Sequence, residues 1–214
     1  MKKRILAALL GFLLLTAVCA QAEYVGVNDD ARKSVNIFLS NFTEQGIRDF
    51  EAAQATDAEL CEFAARHILI NRPQWVERGS WSCDGEYLNA RVSDAHVPQI
   101  AQLYTGRTPG QMTSQYTLHV DGCYYFSEGA PLDIGFASMS AAQTLSDGCV
   151  GVYFGCYGQG WGWSNDDCAL RPEEAAARYP DCPVYPGYAV IDLGGSPLGR
   201  DRSAWHLVSL HINP

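Results

Sequence analysis

The clearest periodicity begins at Thr56, where Leu60, Phe63, Ala64 and His67 recur every three to four positions and predict one apolar helical face. Thr56 and Glu59 have the spacing of a capping box, and Asn71-Arg72-Pro73 closes the run. Residues 35 to 42, Val-Asn-Ile-Phe-Leu-Ser-Asn-Phe, are dense in β-branched and aromatic side chains and predict a strand or buried extended segment. Thr43 is then expected to open a short helix through Phe50. Ser93 to Tyr104 predicts a further helix with Val97, Ile100, Ala101 and Tyr104 on one face and Gly106 after its end, provided that Pro98 falls in its first turn. Pro172 to Tyr179 predicts a short one, with Glu173 and Glu174 at its positive end and Arg178 at its negative end.

Three Asp-Gly pairs, Asp84-Gly85, Asp121-Gly122 and Asp147-Gly148, sit between strand-forming residues. This dipeptide suits tight turns whose two central residues need positive φ, so each pair predicts a hairpin. The second hairpin is the best defined, with Tyr116 to Val120 on one arm and Cys123 to Phe126 on the other. Two last strands are expected at Tyr188 to Leu193 and Ala204 to Ile212, around Gly194-Gly195. With no internal repeat and no linker, the expectation is a single α+β domain: an antiparallel sheet built from hairpins, with two or three helices packed on it.

The first 22 residues belong outside that fold. Lys2, Lys3 and Arg4 precede an apolar run from Ile5 to Val18, and Ala20-Gln21-Ala22 offers small residues to a leader peptidase. A signal peptide over 1–22 and a mature domain over 23–214 follow, with an extracytoplasmic, secreted or cell-surface location. Lipidation at Cys19 is the rival processing, although Val18 stands where a lipid-attachment site wants a smaller residue. A membrane partner is expected only in that case.

Seven cysteines then remain: Cys61, Cys83, Cys123, Cys149, Cys156, Cys168 and Cys182. Outside the cytoplasm they are read as disulfides, and Cys61 with Cys83 and Cys168 with Cys182 close the shortest plausible loops. The fold is therefore expected to be disulfide-braced, with one cysteine left over. No Cys-x-x-Cys or Cys-x-x-His spacing occurs, so no zinc site is expected, and no cofactor is implied; the carboxylates of Asp166 and Asp167 could instead offer oxygen donors to Ca²⁺, but no metal site is assigned.

Charge narrows the partners. The chain carries 15 Lys and Arg against 24 Asp and Glu, a net of -9, which becomes -12 once the three leader cations are removed. Such a surface repels phosphate backbones, so no nucleic-acid partner is expected.

Three features could carry chemistry. Cys61 and His67 lie about 240° apart around their helix, so they cannot act as a nucleophile and base pair, and His67 reads as a core histidine. His206 and His211 are five apart on the last strand, on opposite faces, which argues against a shared metal. Trp161 and Trp163, followed by Asn165, Asp166 and Asp167, lie among glycines. In an extended segment both rings face one way and, beside Asp166 and Asp167, form a platform suited to a carbohydrate, whereas the plainer reading has the tryptophans covering a core edge.

The motifs NIFLSNFTE at 36–44, LCEFAARHILIN at 60–71, the Val97/Ile100 helix and the Tyr124-Tyr125-Phe126 arm resemble an uncharacterised family of small exported or lipid-anchored bacterial proteins. The resemblance spans residues 35–126 and implies a fold class and a location, with no activity and no catalytic residue to carry over. The hydrolase signatures Gly-x-Ser-x-Gly, Ser-x-x-Lys and His-Glu-x-x-His are missing. The reading that follows is a non-enzymatic binding or interaction module at the cell envelope. Its alternative is an extracytoplasmic hydrolase acting on glycan or peptide through carboxylates that the sequence does not locate.

Overall fold

The computed structural model describes residues 26–83, 85–111, 113, 117–127, 135–158, 163–198 and 202–213. The leader with Cys19, Asp84, Tyr116 and Trp161 lie outside the described residues, as does the side chain of Cys83.

The chain opens with helix α1, Asp29–Thr43, where a strand or extended segment was expected from Val35. Asn28 caps it by accepting a 2.8 Å hydrogen bond from the Ala31 amide, and Asp29 and Asp30 place negative charge on the positive helix end. Val35, Phe38, Leu39 and Phe42 then fall on one buried face at helical spacing. No helix follows from Thr43 to Phe50: the chain turns through Gly46, at φ 73°, into strand β1, Asp49–Glu51. Helix α2, Asp57–Asn71, carries the expected capping box, with the Thr56 amide 2.8 Å from Glu59 Oε2.

Strands β2, Val76–Cys83, and β3, Glu86–Ser93, form the first hairpin. Helix α3 is Val97–Thr105, later than expected, so that Pro98 occupies the first turn, and Gly106 ends it at φ 68°. Strands β4, Leu118–Val120, and β5, Cys123–Phe126, meet at Asp121-Gly122 with φ of 49° and 73°. Strands β6, Phe136–Thr144, and β7, Cys149–Tyr157, meet at Asp147-Gly148 with φ of 67° and 78°. Helix α4, Pro172–Arg178, strand β8, Val184–Asp192, and strand β9, His206–Ile212, complete the chain.

The fold is thus α+β, with four helices among the described residues and two antiparallel sheets rather than one. The first sheet has the order β1-β9-β8-β7-β6 and the second β2-β3-β5-β4. One apolar cluster joins them, running from Phe38 and Phe42 of α1 through Phe63 of α2 to Val92 of β3, Tyr124 of β5 and Leu207 of β9. At its centre the Phe42 and Phe63 rings stack at 4.6 Å, and Phe38 packs edge-on to Trp205.

Disulfide bracing is not found. No two cysteine sulfurs among the described side chains stand at bonding distance, and Cys168 and Cys182, expected to pair, are both thiols. Cys168 is buried 3.6 Å from Ser40 Oγ, whereas Cys182 turns its sulfur to the Gly158 carbonyl. Cys61, expected to pair with Cys83, is buried with its sulfur 3.2 Å from both the Gly110 carbonyl and the Tyr124 hydroxyl. The fastening is done by side-chain hydrogen bonds instead. Asn36 of α1 accepts from the Met139 amide and donates to the Cys168 carbonyl, each at 2.8 Å. Ser40 accepts from the Ala137 amide at 3.1 Å, and Thr43 donates to the Gly135 carbonyl at 2.7 Å. A polar stripe of α1 thereby satisfies the outer edge of β6 as a neighbouring strand would.

Candidate functional site

A cleft of about 630 Å³ opens where α1 ends and the first sheet begins. Its walls come from distant stretches of chain: Thr43 and the turn from Gly46 to Arg48, the end of β7 at Cys156, the turn from Arg178 to Pro183, and Tyr185 at the start of β8. Main-chain hydrogen bonds hold these walls, from the Ile212 amide to the Arg48 carbonyl at 2.8 Å and from the Gly158 amide to the Pro183 carbonyl at 3.0 Å.

Arg48 stands exposed at the cleft with its guanidinium 4.9 Å over the Tyr185 ring. No carboxylate among the described residues forms an ion pair with it. Arg178, the second cation, is held 2.9 Å from the fully buried Asp167. Burial pushes the Cys156 thiol up to about 11, against the opposing pull of Arg48 and Thr43, and burial raises Cys182 as well. Both sulfurs therefore stay protonated at neutral pH, unlike the thiolates of nucleophilic cysteines. The cleft combines positive charge, tyrosine faces and neutral thiols.

The tryptophan loop meets this cleft from behind. Trp163 is half-buried, its ring 5.9 Å from that of Phe136, in a small apolar cluster with Tyr157, Cys168 and Ala175. Asp167 faces inward, accepting from the Ser164 amide at 2.6 Å while it pairs with Arg178. Asp166 is exposed, and Trp161 lies outside the described residues. Asp167 thus acts on the cleft through Arg178, whose position it fixes. Sequence reasoning singled out this loop but missed Arg48, Arg178, Tyr179 and Tyr185. The local signals at these positions are weak, because only the register of β7, β8 and β9 brings them together.

A second group of titratable residues lies between α1 and α2. Glu44 is 4% exposed and burial lifts its carboxyl to about 7, partly offset by the amide of Asn71. That same amide stands 3.4 Å from His67 Nδ1, and burial drives His67 down to about 3, with Arg72 adding to the effect. His67 packs on Tyr104 and Phe63, which makes it the core histidine its helical position suggests. Neither Glu44 nor His67 lines the cleft. Of the remaining candidates, His211 meets Asp49 and Glu51 whereas His206 lies against Gly106, so the two share no site.

Comparison of the chain with protein-family models, with curated proteins and with solved structures found no match.

Proposed function

We propose that the protein is an exported binding module that holds a small acidic carbohydrate in the cleft at Arg48. The observation that carries this reading is a guanidinium committed to an aromatic face rather than to a carboxylate, at the mouth of a concave site on an acidic chain. An anionic ligand supplies the missing charge partner, and the guanidinium fork suits a carboxylate. Tyr179 and Tyr185 offer flat faces for a sugar ring, and Asp181 offers acceptors for its hydroxyls. The protonated thiols favour binding over covalent chemistry.

Titration calorimetry with glucuronate and glucose tests this. Saturable binding of the acidic sugar, weaker binding of the neutral one, and at least a tenfold loss in Arg48→Ala are expected. Equal affinity of wild type and Arg48→Ala, or no heat with glucuronate, sinks it. The export half of the proposal rests on the leader composition, and intact mass of the protein from its native source is expected to correspond to a chain starting at Glu23.

A further inference from the structure

The cleft at Arg48 holds the same arrangement twice. Arg48, from the segment that joins α1 to β1, lies 4.9 Å over the Tyr185 ring, and Arg178, the last residue of α4, lies 5.7 Å over the Tyr179 ring, all four lining the cavity. Arg178 meets Asp167 through Nη1, yet its side chain is 54% exposed, so the guanidinium fork keeps N–H donors for an anion.

Asp167 makes this second cation a fixed one. Its side chain is fully buried, with Oδ1 2.9 Å from Arg178 and Oδ2 accepting from the Ser164 amide at 2.6 Å and from the Ser164 hydroxyl at 3.2 Å. Burial, and after it the same carboxylate, push the Tyr179 hydroxyl up, which places Tyr179 beside Asp167 as well. A buried carboxylate is costly unless it is paired, and that cost keeps Arg178 at its wall.

Size points the same way. The cavity of about 630 Å³ is mid-range among those that enclose a drug-sized ligand, about 300–1,000 Å³, and a single sugar ring leaves much of it to water. Two guanidinium groups on different walls, each with a tyrosine, match two carboxylates carried on successive rings. Resting on the reading of this cleft as a site for an acidic sugar, we infer that its ligand class is an oligouronate, with one carboxylate on Arg48 and that of a neighbouring sugar on Arg178. Arg178 is then the residue that selects a chain of acidic sugars over a single one.

The test is titration calorimetry of the full mature chain with galacturonate, digalacturonate and the neutral disaccharide cellobiose. Digalacturonate is expected to bind at least tenfold tighter than galacturonate, and its affinity to fall more steeply with added salt, because two ionic contacts are screened instead of one. Cellobiose is expected to bind more weakly than digalacturonate, which separates charge from length. The double variant Asp167→Asn/Arg178→Gln removes the second cation without leaving a buried carboxylate unpaired, and in it the gain of the disaccharide over the monosaccharide is expected to disappear. Saturable galacturonate binding with less than a tenfold gain for digalacturonate overturns the oligouronate assignment and leaves the Arg48 reading standing, whereas no heat with either uronate overturns both. Cellobiose binding as tightly as digalacturonate, or a full tenfold gain in a double variant of native circular dichroism, overturns the role of Arg178.

Discussion

Glu44 and His67 share one hydrogen-bonding amide yet are shifted in opposite senses, and the signs of their linkage to stability follow from that. Burial raises Glu44 from 4.5 to about 7, so between these values the folded chain keeps a proton that the unfolded chain has released. Its contribution to stability therefore falls as pH rises through that window, by about 3 kcal/mol in all. Burial lowers His67 from 6.5 to about 3, so the unfolded chain gains a proton there that the folded one refuses. Its contribution falls as pH drops through that window, by a few kcal/mol. Between pH 4.5 and 6.5 the two slopes oppose, and the wild-type stability profile is expected to be nearly flat for this pair. Glu44→Gln leaves the histidine slope alone, so stability rises with pH from 3 to 6.5. His67→Leu leaves the carboxyl slope, so stability falls from pH 4.5 to 7. Urea unfolding at unit pH intervals checks this, and variant profiles parallel to the wild type would refute it.

At the scale of elements, α1 does two jobs. One face supplies Val35, Phe38, Leu39 and Phe42 to the core, and the other presents Asn36, Ser40 and Thr43 to the open edge of β6. Asn36→Leu keeps the approximate volume and leaves the Met139 amide and the Cys168 carbonyl without their buried partner, so a loss of about 2–4 kcal/mol in urea unfolding is expected. Ser40→Ala orphans only the Ala137 amide and is expected to cost about 1–2 kcal/mol. Equal and negligible losses would show that the edge finds other partners. This double use also explains why α1 was misread. Asn36, Ser40 and Asn41 break the apolar run in a way that resembles a half-exposed strand, although all three are buried. The Asn28 cap and the acidic pair after it were the legible signal for a helix. By contrast, the Asp-Gly turns, the Thr56 capping box and the helix stop at Gly106 were readable because their chemistry is contained in a few consecutive residues. The cleft was not readable, because its lining depends on strand order, which no local pattern encodes.

For the molecule as a whole, the question the cysteines raise is what carries the stability. A native disulfide contributes about 2–4 kcal/mol, mainly by restricting the unfolded chain. A domain of this length shifts its melting temperature by about 2–4 °C per kcal/mol, so even one such bridge would show as a drop of several degrees on reduction. Here one apolar cluster spans both sheets and three helices, and the buried Cys61 serves as a packing and hydrogen-bonding group within it, as Cys168 does in the smaller cluster around Phe136. Burial also keeps Cys156 and Cys168 protonated, at about 11 each, which slows their attack on any disulfide donor. Melting temperatures measured with and without excess dithiothreitol are therefore expected to agree within about 2 °C, because no two sulfurs among the described side chains stand at bonding distance. Alkylation before unfolding should label the half-buried Cys123, Cys149 and Cys182 faster than the buried Cys61, Cys156 and Cys168. A drop of about 5 °C or more on reduction would mean that covalent links share the burden that the core and the α1 stripe are here assigned.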